Sequence, residues 1–250
     1  MQLFGLIGYP LSHSWSASYF IEKFAREGIT DQAYRLFPIR ELQHLEQLLF
    51  NNPELTGFNV TIPYKISILP FLDEIDEEAR EIGAVNTVKI YRDQQRILLK
   101  GYNTDGIGFL QSLPDPFPHR KALILGTGGA SRAVARALKK LGITYKFVSR
   151  SKSGEGFLSY EELGTDLLNN YTLVVNTTPA GMFPDADRCP DLPYHLLTKQ
   201  HFLYDLVYNP EETLFLKKGK ERGAQTINGY KMLIGQAEAA YRIFTSAPPP

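Results

Sequence analysis

The chain has 250 residues with 27 basic and 27 acidic side chains, so its formal net charge is zero. That length holds one large or two medium domains, and the balanced charge leaves no general electrostatic footprint for nucleic acid or an anionic membrane. A single cysteine, Cys189, excludes an internal disulfide and suits a reducing compartment; no run of 18 apolar residues offers a membrane span, and the N-terminus lacks a secretion-leader pattern, so a cytoplasmic protein is expected.

Residues 3–8 read as a short buried strand, followed by the loop Tyr9-Pro10-Leu11-Ser12-His13-Ser14. A helix is predicted next, with Ala17, Phe20, Ile21 and Phe24 as its apolar stripe and Gly28 as its stop. A second helix carries Leu42, Leu45, Leu48 and Leu49. Phe58, Val60 and Ile62 then alternate with Asn59 and Thr61, the period of a strand. Pro63 suits the first turn of a following helix, which would set Lys65 beside the carboxyl end of that strand. Residues 74–82 predict a short acidic helix, leading into Gly83-Ala84-Val85-Asn86-Thr87. Two strands around Arg92-Asp93-Gln94-Gln95 read as a hairpin, and the second runs into Gly101-Tyr102-Asn103-Thr104-Asp105-Gly106. The proline-rich stretch 113–120 lies where a domain boundary is expected, with the crossing somewhere from 103 to 120.

Beyond it, strand and helix alternate over 121–125, 131–141, 145–149, 173–175 and 202–206, the pattern of a parallel, doubly wound α/β sheet. A final helix, about 230–245, shows Leu233, Gln236, Ala237, Ala240 and Phe244 on one face and is expected to pack back on the first domain. The apolar strand Ala122–Leu125 runs into Gly126-Thr127-Gly128-Gly129-Ala130-Ser131 and then a helix. That is phosphate-binding geometry: glycine admits a pyrophosphate close to the backbone and the helix start aims its N–H groups at it. A Gly-rich turn also serves purely structural ends in α/β proteins, so the loop alone is weak evidence. After the next strand comes Ser149-Arg150-Ser151-Lys152-Ser153. NAD sites place a carboxylate there; a basic residue accommodates the 2′-phosphate of NADP. An arginine fork suits a phosphate, so the cofactor is expected to be NADP.

Four polar clusters fall at predicted element ends: Ser14 with Ser16, Thr61 with Lys65, Asn86, and Asn103 with Asp105. Each has a plain structural reading as a cap, a solvated lysine or a satisfied strand amide. Together their hydroxyls, amides, cation and carboxylate suit a polyhydroxylated small acid. Gln236 adds an amide to an otherwise apolar helix face, where an idle polar group would be costly. Lys65 and Asp105 offer an acid–base pair: an ammonium beside a ketone oxygen stabilises the nascent alkoxide and donates its proton. No metal is expected.

In their order along the chain, these segments resemble the shikimate dehydrogenase family over nearly the full length. The carrying motifs are Ser12-His13-Ser14-Trp15-Ser16, Asn59 through Lys65, Gly83 through Thr87, Asn103-Thr104-Asp105-Gly106, the glycine loop, Asn176 through Met182, Tyr204 through Tyr208, and Gly229 through Gln236. The resemblance implies two α/β domains with the active site in the cleft between them. A substrate domain would comprise 1–105 plus 230–250 and be mainly parallel; a Rossmann NADP domain would comprise 106–229. It implies reversible, NADPH-dependent reduction of 3-dehydroshikimate to shikimate, towards chorismate and the aromatic amino acids. Ser14, Ser16 and Tyr208 would then hold the substrate carboxylate. Thr61, Asn86, Asp105 and Gln236 would bind or support the ring hydroxyls, and Lys65 with Asp105 would be catalytic. Gly126, Thr127, Gly128, Gly129 and Ala130 would cradle the pyrophosphate. Ser149, Arg150, Ser151 and Lys152 would take the adenosine phosphate, Leu206 and Gly229 would line the nicotinamide pocket, and Glu77 would lie on the cofactor side.

Three features depart from the family pattern. Ser149-Arg150-Ser151 replaces the usual Asn-Arg-Thr and the later second arginine is absent, with Lys152 nearby; Ala17 replaces the usual proline; and 151–172 is compact. Two alternatives stay open, a quinate/shikimate dehydrogenase preferring NAD, and a non-catalytic sensor of shikimate-like ligands or nucleotide. A small-molecule substrate is the expected partner, and monomer and homodimer are both compatible with the sequence.

Overall fold

The computed structural model describes residues 1–11, 14–93, 96–151 and 154–247. The chain divides into two compact units, 1–104 with 237–250, and 105–236.

In the first unit the elements are β1 (Gln2–Gly8), α1 (Trp15–Glu27), β2 (Gln32–Pro38), α2 (Leu45–Asn51), β3 (Leu55–Val60), β4 (Glu74–Ile75), α3 (Glu77–Ile82), β5 (Thr87–Arg92) and β6 (Ile97–Tyr102). They form one six-stranded sheet in the order β2-β1-β3-β5-β6-β4. β1 runs parallel to β2 and β3, and β4 parallel to β6, whereas β5 is antiparallel to both β3 and β6. The sheet is therefore mixed, and the inversion at β5 has a consequence for the site. The start of an antiparallel strand lies at the same edge as the ends of its neighbours.

The expected β5–β6 hairpin forms, with Thr87 opposite Tyr102 and Arg92 opposite Ile97; Gln94 and Gln95 at its tip lie outside the described residues. Three local expectations need correction. α1 does end at Gly28, which takes the left-handed conformation at φ 66°, where glycine alone is unstrained. Its core face is Phe20, Lys23 and Phe24, however, while Ile21 is 59% exposed. Lys23 is buried because it pairs with Glu27 at 2.9 Å and Glu238 at 3.0 Å. β3 stops at Val60, leaving Ile62 exposed, and Pro63 enters a turn in place of a helix. The predicted acidic helix starts only at Glu77, with the Asp76 side chain accepting from the Glu78 N–H; Glu74 and Ile75 are strand.

The second unit holds α4 (Asp105–Ser112), β7 (Lys121–Leu125), α5 (Gly129–Lys140), β8 (Thr144–Val148), β9 (Phe157–Leu158), α6 (Thr165–Asn170), β10 (Leu173–Asn176), β11 (Phe202–Asp205), α7 (Leu214–Lys220), β12 (Gln225–Ile227) and the start of α8 (Tyr230–Thr245). Its sheet order is β12-β11-β10-β7-β8-β9, with every described pairing parallel. The order reverses at β7, so the loops after β7 and β10 flank a topological switch point, where open α/β sheets bind ligands. β7 and β10 are buried on both faces: Leu123, Leu125 and Val174 pack in one cluster, Ala122, Ile124 and Val175 in another. That is why these strands read as continuous apolar runs.

α8 is divided between the units after Gln236. Met232 packs in the second unit's core, and Ala237, Ala240 and Phe244 pack with Phe4, Phe20 and Phe24 in the first. No described helix is long and apolar enough to cross a membrane.

Candidate active site

The inversion of β5 gathers the polar clusters of the first unit at one sheet edge. β1 and β3 end there at Gly8 and Val60, β5 begins there after Asn86, and β6 ends there before Asn103. The Val60 N–H donates to Asn86 O at 2.8 Å and the Asn86 N–H to Tyr102 O at 3.0 Å. Thr61 is anchored through its N–H to Ile7 O at 2.9 Å, and the turn it opens closes on Tyr64. Lys65 follows, half-buried, its carbonyl accepting from the Val85 N–H at 2.7 Å. Thr61, Lys65 and Asn86 thus sit on adjoining backbone bonded across the sheet edge.

Ser14 is the N-cap residue of α1, yet its side chain makes no capping bond. Ser16 meets the Tyr34 hydroxyl, which burial holds well above the ordinary phenol range; it stays protonated and donates to Asn59 Oδ1 at 2.9 Å. Asn59 in turn donates to Thr87 Oγ1 at 3.2 Å, and Thr87 to Asn86 Oδ1 at 3.0 Å. Asn86 Oδ1 also receives the Thr104 N–H at 2.8 Å, and its amide donates to Thr104 Oγ1 at 3.0 Å. This chain of buried groups is satisfied link by link, as burial requires. It fixes Asn86 and the backbone immediately before Asp105. Tyr34, Asn59, Thr87 and Thr104 were not singled out from the sequence. Asn59 looked like the outward residue of an alternating strand, but β3 is central and both its faces are covered. Tyr34 lies on β2, for which the sequence offers no element.

Asp105 opens α4 and is buried. One turn later, Gly108 lies under α8: a Cβ there would come within 2.4 Å of Met232 O and 2.8 Å of Gln236 N. Only glycine lets α8 approach so closely, and that approach sets Gln236 beside the first turns of α4. Gln236 is half-buried and its amide donates to Leu233 O at 3.1 Å.

The second unit's carboxyl edge carries the glycine loop. Gly126 has φ +105°, and its absent Cβ would lie 2.9 Å from Thr177 Oγ1 and Thr178 Cγ2. Gly128 is the N-cap of the twelve-residue α5; it is exposed, and a Cβ there would meet nothing within 4 Å. Thr127, Gly129 and Ala130 are half-buried around it. Ser131, at the third glycine position, is buried and its hydroxyl donates to Gly128 O at 2.6 Å. It therefore braces the loop from beneath and leaves the outer side open. An open, uncapped, glycine-lined helix start fits a pyrophosphate.

Ser149 follows β8, buried, and its hydroxyl accepts from the Ser151 N–H at 3.2 Å, shaping a turn with Arg150 and Ser151 exposed. Lys152 lies outside the described residues. Among the residues of this turn that the structure describes, Arg150 is the one fitted to bind a phosphate. Leu206 is half-buried, and Gly229 is jammed against it: a Cβ would sit 2.1 Å from Leu206 O. Tyr208 is half-buried, with its hydroxyl pushed up by burial. Glu77 is exposed in the first turn of α3, where a carboxylate suits the helix start. No group of three or more metal-ligating side chains occurs among the described residues.

Asp205, within the Tyr204–Tyr208 motif, receives no role from the sequence. It is fully buried, accepts from Asn176 Nδ2 at 2.9 Å, the Val207 N–H at 3.0 Å and Thr213 Oγ1 at 2.5 Å, and burial pushes its carboxyl up to about 6. Because the folded chain then holds this proton more tightly than the unfolded chain, the group's contribution to stability rises as pH falls through 6 towards 4. Relative to Asp205→Asn, the natural chain should gain roughly 1 kcal/mol between pH 7 and pH 5, read from urea midpoints of both proteins. A flat difference would mean that the carboxyl titrates normally.

A family model described as the shikimate dehydrogenase substrate binding domain matches residues 6–88. Over 266 residues the chain is 38% identical to a shikimate dehydrogenase (NADP(+)) of Methanococcus maripaludis, covering 99% of this chain and 93% of the relative. It is 40% identical over 268 residues to the enzyme of that name from Carboxydothermus hydrogenoformans, covering 100% and 93%. Among solved structures, shikimate 5-dehydrogenase of Thermus thermophilus in complex with NADP(H) and shikimate superposes with a TM-score of 0.83 at 32% identity, covering 100% of this chain and 95% of that one.

Proposed function

The chain belongs to the shikimate dehydrogenase family, and from that premise we propose that it catalyses the reversible, NADP-linked reduction of 3-dehydroshikimate to shikimate, a step towards chorismate and the aromatic amino acids. The observation that carries this reading is the convergence of Thr61, Lys65 and Asn86 at one sheet edge through the inverted β5. That edge supplies hydroxyl, ammonium and amide together, the groups a hydroxylated keto acid requires.

When bound, NADPH supplies the hydride for the ketone carbon. Gly126, Thr127, Gly128, Gly129 and Ala130 hold its pyrophosphate, Arg150 with Ser149 and Ser151 its adenosine phosphate, and Leu206 and Gly229 its nicotinamide end. Glu77 is assigned to the cofactor side on the resemblance alone, and the same assignment for Lys152 falls on a residue outside those described. Ser14 and Ser16 take the substrate carboxylate with Tyr208, and Thr61, Asn86 and Gln236 take the ring hydroxyls. The Lys65 ammonium stabilises the developing alkoxide and gives it the proton, a transfer worth about 10²–10⁴ in rate. Asp105 is assigned with Lys65 as the acid–base pair on the resemblance. In the direction of shikimate oxidation, Lys65 takes the proton back. The setting is cytoplasmic, consistent with one unpaired cysteine.

The cofactor assignment rests on Arg150 and on the absence of a carboxylate in the Ser149–Ser151 turn. Comparing kcat/KM for shikimate and quinate, each with NADP and NAD, tests it. Shikimate with NADP should exceed every other pair by about tenfold or more, the worth of one charge-assisted contact. Equal values for all four pairs would refute the specificity, and no turnover with any would support a sensor.

A further inference from the structure

Asp205 stands outside the chemistry just described, yet it is the only carboxylate fully enclosed in the second unit's core among the described residues. It ends β11 beside Asn176, which ends β10. Its Oδ1 accepts from Asn176 Nδ2 and from the Val207 N–H, and its Oδ2 accepts from the Thr213 hydroxyl. Each partner governs a different loop. Asn176, held by this bond, turns its own Oδ1 to receive the Thr178 N–H at 3.0 Å and hydroxyl at 2.7 Å. Thr178 is one of the two side chains packed against Gly126, so this arm ends at the phosphate loop. Val207 carries the second arm: its carbonyl accepts from the Gly229 N–H at 3.1 Å, beside Leu206. Thr213 carries the third. It caps α7 by accepting from the Leu216 N–H, and it packs under Gly181 of the loop after β10.

A buried carboxylate with no cation beside it costs free energy, and three donors converging on it offset that cost only while all three stay in place. The arrangement therefore penalises displacement of any of the three loops. We propose that Asp205 is a positioning residue for the cofactor site: by hydrogen bonding to Asn176, Val207 and Thr213 it sets the glycine loop, the loop after β10 and the loop after β11 in the mutual positions that NADP requires. This rests on the reading that the second unit takes NADP. Asp205 touches neither cofactor nor substrate in this scheme and acts through its three partners.

The test is isothermal titration calorimetry of the full chain with NADP⁺ and, separately, with shikimate. Asp205→Ala leaves three buried donors without their acceptor and should weaken NADP⁺ by about tenfold or more. Asp205→Asn keeps an oxygen for Asn176 and Val207 and can donate to Thr213, so it should recover affinity to within about threefold of the natural chain. Shikimate affinity should stay within about twofold in both, which a general loss of structure would not allow. Should Asp205→Ala not fold, Thr178→Val removes the hydroxyl half of the outer link, together with the Ala180 N–H bond to that hydroxyl, leaves the Thr178 N–H bond to Asn176, and should weaken NADP⁺ by about fivefold. Unchanged NADP⁺ affinity in Asp205→Ala or in Thr178→Val overturns the proposal, as does an Asp205→Asn protein as weak as Asp205→Ala. A natural chain that binds shikimate but not NADP⁺ would instead sink the cofactor reading from which the proposal starts.

Discussion

Replacing Lys65 by alanine should lower kcat for shikimate oxidation with NADP by about 10²–10⁴-fold, the usual worth of a positioned acid–base group, while KM moves far less. The main chain at Lys65 is set by two features that the substitution leaves in place. Its carbonyl is bonded to the Val85 N–H at 2.7 Å, and its neighbour Tyr64 is buried with its hydroxyl donating to Ile39 O at 2.9 Å. Alanine therefore removes the ammonium without disturbing the turn that carries it. In the proposed role the side chain would contribute to the transition state, where negative charge gathers on the oxygen, more than to the ground state, and that difference would be read in kcat. Steady-state kinetics checks it, with unchanged circular dichroism as the control. A kcat within about threefold of the natural chain would remove Lys65 from the mechanism.

Gly229→Ala should cost about 3 kcal/mol of stability, at the upper end for overpacking a well-filled site. The new methyl would stand 2.1 Å from Leu206 O and 2.6 Å from Leu206 C. Both are backbone atoms, so no rotamer change relieves the clash, and main chain must move. The Gly229 N–H is bonded to Val207 O, and its carbonyl accepts from Leu233 N–H at 2.9 Å in the first turn of α8. Moving Gly229 therefore displaces either Leu206, just past the end of β11, or the helix that carries Gln236. Urea unfolding of the two proteins measures the loss; a difference under about 0.5 kcal/mol would mean that the strand ends yield easily. NADP⁺ affinity should weaken alongside stability, which separates this substitution from a core change far from the site.

The two units differ in how far local pattern exposes them. In the second, every described pairing is parallel, and β7, β10 and β11 are buried along almost their whole length, so they stand out as largely apolar runs. Gly126 takes a positive φ and Gly128 opens α5, both within one turn of chain. In the first unit, local pattern misleads where neighbours decide. Ile21 lies on the predicted apolar stripe yet faces solvent, while Lys23 is buried with two counter-charges, Glu27 on its own helix and Glu238, more than two hundred residues away. Ile62 continues an alternation that the chain abandons after Val60, since the sheet edge there turns to present Thr61 and Lys65.

By itself the sequence determined the family, the fold class, the glycine loop with its basic turn, and the inventory of polar residues for the site. Those depend on periodicity, on glycine's backbone freedom and on residue chemistry, all expressed within a few positions of the chain. Only the tertiary structure decided that the inverted β5 brings Asn86 to the edge that holds Thr61 and Lys65. It alone revealed the Tyr34–Asn59–Thr87–Thr104 chain behind Asn86, and Asp205 as the tie between three loops. Hydrogen bonds among residues tens of positions apart leave no local mark. A buried carboxylate and a solvated one are the same letter until their surroundings are known.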